Sequence, residues 1–382
     1  MKAMIPAQWT LLRHDKWLLS CLTWVPLLLA ALIWWIFSQG IARDLPFGVV
    51  DLSHSQLSRQ LIREVDATAT LQVFDHYPSI AEASHALRSS QIYGYMVIPA
   101  QFDKSIYRQQ QPAVTTFYNS QMILVGKLVN SAVVQAQSTF NAQVEVMKNL
   151  TGQSQTTLAA MGRAVPIRTQ ITPLFNQNNH YAQFLVSAIV PALWQISIVV
   201  STILILAANY RHYGLQKWLA DAPLRQLSRT LLPYLPIFLL QGLGFLIWFY
   251  DVLDWPMFGH FSILLIAQAF TVMACVIMAG FFYFLTLDPA RAMSFAGAFT
   301  APSFAFMGIT FPASDMNSLA HLWRSLLPIS HYIEVQVNQV SYGLDALTSL
   351  QPLSNMWGYL FPLGITLLLI RKHLARATGA AL

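Results

Sequence analysis

Long unbroken apolar runs decide what this chain can fold into. A helix rises about 1.5 Å per residue, so crossing a hydrocarbon core of about 30 Å takes about 20 apolar residues. Six segments reach or approach that length: Trp17–Phe37, Ala182–Ala208, Leu231–Val252, Phe261–Leu287, Ala292–Phe311 and Leu353–Ile370. The third carries Pro233 and Pro236 near its start, and the sixth is interrupted by Gly358 and Pro362. None has a charged residue near its middle, as the cost of a bare charge in hydrocarbon requires. The expectation is a mainly α membrane protein with six transmembrane helices. Charged residues make up only 10% of the chain, where a soluble domain carries about a quarter. That excludes an ordinary soluble enzyme, a disordered chain and a nucleic-acid binder with a dense basic surface. Cys21 and Cys275 both lie inside apolar runs, which argues against a disulfide framework or a thiolate metal site.

Basic residues set the direction. With the N-terminus inside, the short inner segments hold eleven Lys and Arg residues, and the short outer ones hold Arg324 alone. Such a bias places both termini in the cytoplasm, and the net charge of +6 fits basic cytoplasmic loops better than polyanion binding. In residues 1–16, Ile5, Trp9 and Leu12 share one helical face, with Lys2, Arg13 and Lys16 outside it. This reads as a short cytoplasmic interfacial helix, the alternative being a frayed terminus. The apolar stretch over 17–37 is longer than a signal-peptide core and carries Trp24, Trp34 and Trp35, so it reads as the first span rather than a cleaved leader.

Residues 38–181 contain no spanning segment, and 18 of these 144 residues are charged, so the composition shifts as the chain leaves the membrane. Strand patterns at Phe47–Val50, Thr70–Phe74, Tyr93–Ile98 and Ala113–Tyr118 alternate with helical spacing at Gln56–Val65 and Ile80–Leu87. That order predicts an inserted extracytoplasmic α/β domain with a mainly parallel sheet. Asn119–Leu150 then reads as one long helix, and a stretch rich in Gln, Asn and Thr leads back to the second span. Asp51, His54, Asp75 and His76 match no compact ligand spacing and read as polar strand ends. Asn149-Leu150-Thr151 fits a glycosylation acceptor, a triplet common by chance.

The sequence lacks a phosphate-cradling G-x-x-x-x-G-K-[ST] loop, H-E-x-x-H, G-x-S-x-G, and G-x-G-x-x-G after a strand. Its spans offer Gln195, Gln241, Gln268 and Tyr283 instead of intramembrane carboxylates; such neutral groups hold helices together. The expectation is a protein without its own catalytic, metal or cofactor site. Two loops stand out. In Arg211–Arg229, Gly214 breaks the chain after the second span, and Leu215, Trp218 and Leu219 then form an apolar face at i, i+3 and i+4. Pro223 ends or redirects that turn, Leu224 and Leu227 continue the apolar set, and Lys217, Arg225 and Arg229 add positive charge. A helix of this kind lies on lipid headgroups or docks on a partner. In 313–352, Met316–Leu327 and Ile329–Tyr342 are apolar at helical spacing but too short to span, with breaks at Pro312 and Pro328. They form either a re-entrant hairpin at the outer face or a pair of amphipathic surface helices.

Gly308-Ile309-Thr310-Phe311-Pro312, Met316, Leu327-Pro328-Ile329-Ser330-His331-Tyr332-Ile333-Glu334 and Gly343 together resemble the permease subunits of bacterial ATP-binding-cassette exporters of the type-2 membrane family. Val337 stands where that family usually has an Arg. Tyr213-Gly214 and Pro223-Leu224-Arg225 resemble the cytoplasmic loop after the second span, with Leu215 and Lys217 where acidic residues are usual. The order of one span, a large outer domain and five more spans resembles the family over essentially the whole chain. The resemblance implies a bacterial inner-membrane permease whose ATP is hydrolysed by a separate cytoplasmic ATPase subunit. It implies pairing with a second copy or a paralogue, and contact with the ATPase through Gly214, Leu215, Trp218, Leu219, Pro223, Leu224 and Arg225. Gly308, Phe311, Pro312, Met316, Pro328, His331, Glu334 and Gly343 would mark the outer hairpin. A periplasmic adaptor is left open as a further partner. Spans rich in aromatics and free of fixed charge suit a hydrophobic or amphipathic substrate: a drug, a lipid or a lipid-like metabolite. The reading from another class, a membrane-anchored receptor or assembly scaffold, needs one span rather than six.

Overall fold

The computed structural model describes residues 4–38, 42–108, 110–152, 180–219 and 222–379. Gln39, Gly40 and the polar stretch from residue 153 to 179 lie outside the described residues. The chain divides into two units, one formed by Met1–Gly40 with Pro173–Leu382 and the other by Ile41–Thr172.

The first unit opens with α1 (Met4–His14), α2 (Lys16–Leu22) and α3 (Trp24–Phe37). α1 buries Gln8 and Leu12, one turn apart. Trp9, expected on the face of an interfacial helix, is 54% exposed and carries the Arg13 guanidinium 5.3 Å from its ring. The apolar run over 17–37 is a bent pair: α2 and α3 meet at 46° across Thr23. Pro26 has no N–H to offer the Leu22 carbonyl, which loosens the helix at that bend.

The second unit is a sheet between helices. Its elements are β1 (Leu45–Asp51), α4 (Gln56–Asp66), β2 (Leu71–His76), α5 (Ile80–Arg88), β3 (Gly94–Ile98), α6 (Phe102–Tyr107), β4 (Thr115–Tyr118) and α7 (Ile123–Gly152). Strand order is β2-β1-β3-β4, with β1 parallel to β2 and β3, and β4 antiparallel on the edge. As a central strand β1 is buried on both faces. Phe47 and Val49 pack under α4 and α7 with Leu61, Val65, Val133 and Phe140, while Val50 packs with Ala83, Ala86 and Tyr95 on the α5 side. Helix starts are written locally: Ser55 and Ser58 form a capping box at α4, and Ser79 caps α5. Asp51 accepts from the Ser53 and His54 amides and from the Ser58 hydroxyl, so it fixes a turn. Among the described residues no His, Cys, Asp and Glu cluster suits a metal ion.

The first unit resumes with α8 (Tyr181–Tyr213), α9 (Leu215–Leu219), α10 (Pro223–Leu231) and α11 (Leu235–Ile247), which runs into a π turn over Trp248–Val252. Then come α12 (Phe261–Thr286), α13 (Pro289–Thr300), α14 (Ser303–Phe306), α15 (Ser318–Leu326), α16 (Pro328–Val340) and α17 (Ala346–Leu350). A 3-10 segment, Gln351–Tyr359, leads into α18 (Leu360–Gly379). Four stretches are long and apolar enough to cross a membrane: Ala182–Tyr213, Leu235–Val252, Phe261–Thr286 and Ala346–Ala377. The α2–α3 pair makes five if it counts as one bent span. Ala292–Phe311, expected as a span, is not one helix. α13 has 12 residues, a rise of about 18 Å. Pro302 removes a backbone donor just after it, α14 is a single turn, and Gly308 follows at φ +90°. α12 is the hub of this unit, packed against α8, α11, α13, α16 and α18. Its approach to α11 needs Gly242, where a Cβ would lie 2.6 Å from the Gln268 side-chain oxygen.

Phe47 is fully buried at the centre of the sheet. Phe47→Ala should destabilise the Ile41–Thr172 unit by about 3–5 kcal/mol. Limited proteolysis of the full chain should then show faster cutting within that unit and unchanged cutting elsewhere.

Candidate functional site

The 211–229 segment starts inside α8, whose last residue is Tyr213. Gly214 turns the chain at φ +68°, a left-handed backbone that only glycine adopts without strain; no atom crowds its missing side chain. α9 then buries Leu215, Trp218 and Leu219 against α8 and α18. The Trp218 indole donates to Thr230 Oγ1 at 2.9 Å, and its ring centre lies 6.2 Å from that of Phe284. The apolar face expected to meet a partner or lipid is therefore covered by this chain itself. Pro223 sits at the first position of α10, where its missing N–H costs nothing. α10 packs on α1, α9 and α18 through Leu227 and Thr230 and leaves Leu224 and Arg225 exposed. Gln216 and Lys217 on α9 are exposed as well. A buried network that sequence reasoning missed holds it in place. Gln8 of α1 and Asn209 of α8 exchange two side-chain hydrogen bonds, at 2.7 and 3.1 Å, and Tyr234 donates to Gln8 at 3.3 Å.

The second region is the pair α15–α16. Its two limbs differ. α15 buries no side chain and exposes Leu319, Leu322 and Leu326, whereas α16 is packed against α8, α12 and α14 and buries His331 and Tyr332. Pro328 opens α16. The turn between the limbs leaves carbonyls without helical partners, and side chains take them: His331 Nε2 donates to Ser325 O at 3.0 Å, and Tyr359 OH to Leu326 O at 2.6 Å. Arg324 reaches across to Glu334, 2.8 Å away, and packs beside Gly308. This pairing gives Glu334 an arginine partner from α15, although Val337 stands where a following Arg was sought. Met316 is buried, while Phe311 and Pro312 stay exposed. Gly343, in the left-handed region, lets the chain leave α16 against Phe258. Asp345 then caps α17, and its hydrogen bonds with Thr348 hold its carboxyl below the usual range.

The hairpin hangs on glutamines that repair broken backbone. Pro191 deprives the Ser187 carbonyl, four residues earlier in α8, of its helical donor; Gln336 of α16 donates to it instead, at 2.8 Å. Gln195, fully buried one turn further on, accepts from the Ile329 amide at the start of α16 at 2.9 Å and donates to Ser303 at 3.1 Å. In the same way Gln241 of α11 donates at 2.8 Å to the Leu22 carbonyl that Pro26 leaves open. The sequence signal was the presence of glutamine inside apolar runs; which proline each would serve was not readable. Gln336→Leu orphans the Ser187 carbonyl and should cost about 1–3 kcal/mol. In a Pro191→Ala background the restored amide should remove most of that cost. Thermal unfolding of the four proteins in detergent, treated as a double-mutant cycle, checks this, and an equal cost in both backgrounds would count against the brace.

No curated protein and no solved structure matches the chain. One family does, described as ABC-2 family transporter protein, over residues 16–370. The match takes in the bent α2–α3 pair, every candidate span up to Ile370, the 211–229 segment and the α15–α16 hairpin. With nearly its whole length matched, the chain belongs to the ABC-2 family of transporter proteins.

Proposed function

We propose that this chain is the permease subunit of an exporter in the bacterial inner membrane, moving a hydrophobic or amphipathic substrate outward on energy from a separate cytoplasmic ATPase. Family membership makes it a transport membrane component that pairs with an ATP-binding-cassette subunit. The observation that carries the finer reading is the chemistry of the packed interior. Among the described residues of the first unit the buried polar groups are neutral amides, hydroxyls and one histidine, with no buried carboxylate, lysine or arginine. Such an interior offers nothing to a bare ion and no carboxylate for ion coupling, so the work comes from outside the spans. A drug, a lipid and a lipid-like metabolite all fit it. With α13 and α14 counted together as a broken sixth crossing, the eleven-to-one bias of Lys and Arg supports cytoplasmic termini and a periplasmic Ile41–Thr172.

In this reading the ATPase docks on the exposed edge of α10, at Leu224 and Arg225, with Gly214, Leu215, Trp218, Leu219 and Pro223 positioning that edge. Closure of two ATPases on two permeases, identical or paralogous, shifts an inward–outward equilibrium. A periplasmic adaptor is compatible with the size of the second unit. ATP binds only to the partner, and this chain holds no cofactor.

Two experiments test the proposal. In a background with Cys21 and Cys275 replaced by Ser, cysteines at the exposed positions Ser89 and Ser318 should label from outside intact cells. One at Gln216 should label only after the inner membrane is opened; labelling of Gln216 in sealed cells would reverse the orientation. Leu224→Asp with Arg225→Asp should leave abundance unchanged, since both side chains are exposed, and should lower ATPase co-purification and transport at least about tenfold, the loss of one anchor and one charge at an interface. Normal transport at normal abundance would place the contact elsewhere.

A further inference from the structure

We propose that the cleft where α1 breaks into α2, beside the end of α8, binds the phosphate of an anionic glycerophospholipid headgroup. The cleft has a volume of about 540 Å³, and its lining includes His14, Lys16, Arg211 and His212 together with Asp15 and Trp17. Its cations are little used by the protein. The Lys16 ammonium has no hydrogen bond or ion pair among the described residues. Arg211 meets Asp15 at 3.4 Å with 66% of its side chain exposed, a pairing that holds the guanidinium weakly. His14 Nδ1 donates to the Thr10 carbonyl at 2.8 Å, so the donors the cleft leaves open are Lys16 and Arg211.

Asp15 is the one carboxylate in the lining: one oxygen caps α2 by accepting from the Leu18 amide at 3.0 Å, and the other faces Arg211 at 3.4 Å. Lys16 and Arg211 against Asp15 leave the cleft with net positive charge, which favours a headgroup of net negative charge over a zwitterionic one. Trp17, in the lining, is 80% exposed. An exposed indole in a basic cleft, at the end of a span, is placed for the headgroup layer of a membrane, and Leu11 and Ala208 in the lining suit the start of an acyl chain. Which leaflet supplies the lipid follows from the orientation proposed above and would be the inner one. Binding itself does not need that orientation, so cysteine labelling and lipid retention fail independently.

Native mass spectrometry of the purified full chain in detergent, with phosphatidylglycerol or phosphatidylcholine at equal concentration, tests the site. The wild type should retain phosphatidylglycerol in preference. Lys16→Gln with Arg211→Gln should weaken that retention about thirtyfold, the effect of two basic side chains at an anionic surface. Asp15→Asn keeps an oxygen to cap α2 and removes the competing charge, so it should tighten retention. Equal retention of the two lipids overturns the proposal. So does a phosphatidylglycerol preference that neither variant alters, which would put the lipid elsewhere. Displacement of the lipid by inorganic phosphate would make the site one for free phosphate and overturn the lipid assignment.

Discussion

A backbone carbonyl that loses its helical partner inside a membrane has no water to turn to, and the packing of the first unit follows from that. The spans and hairpins of this unit are interrupted by prolines, and each interruption frees a carbonyl or ends a helix where amides lack partners. At three of these points the missing partner comes from a different helix: Gln241 at the Leu22 carbonyl, Gln336 at the Ser187 carbonyl, and Gln195 at the Ile329 amide. Each brace joins two elements distant in sequence, so the positions of the breaks decide which helices lie side by side. α11 is held to the α2–α3 bend, and α16 is held to α8 on both sides of Pro191.

The braces are amides for a physical reason. A carboxamide reaches about as far as a carboxylate, supplies both donor and acceptor, and carries no charge to desolvate. An ionised group in the same place would cost several kcal/mol before it made any bond, whereas a neutral hydrogen bond to a backbone carbonyl recovers about 1 kcal/mol and avoids leaving that carbonyl empty. The ion pair of the hairpin, Arg324 with Glu334, departs from this in part: Glu334 keeps 42% of its side chain exposed, but Arg324 keeps only 13%, and its pairing offsets that burial.

Legibility in the sequence tracked how local the causes are. The sheet, its parallel order and the long α7 were readable because strand alternation, Ser55 and Ser79 act within a few residues. α6 was missed, since its six residues carry too little periodicity. Ala292–Phe311 misled because apolar composition reports on solvent and not on helical continuity; Pro302 and Gly308 were visible, but their effect on one helix depends on what packs there. Leu215, Trp218 and Leu219 were legible as a helix face, but what covers them was not. Thr230, which takes the Trp218 indole, lies a full helix away in the chain. Gln8 is the extreme case. It was invisible as a core residue because its partners, Asn209 and Tyr234, are about 200 residues distant.

The same braces bear on how a push at one end is received. α10 shows Leu224 and Arg225 outward, while Leu227 and Thr230 fix its other side to α1, α9 and α18. Close-packed interiors do not absorb displacement by compressing, so movement of α10 passes to those helices and, through Gln8 and Asn209, to α8. α8 then runs unbroken from Asn209 back to Gln195, about 21 Å of helix. Only beyond Gln195 does Pro191 offer a point of weakness, and there Gln336 and Gln195 attach α16. If the ATPase docks where proposed, α8 links the α10 end of the unit to the hairpin, with Pro191 and its Gln336 brace at the junction.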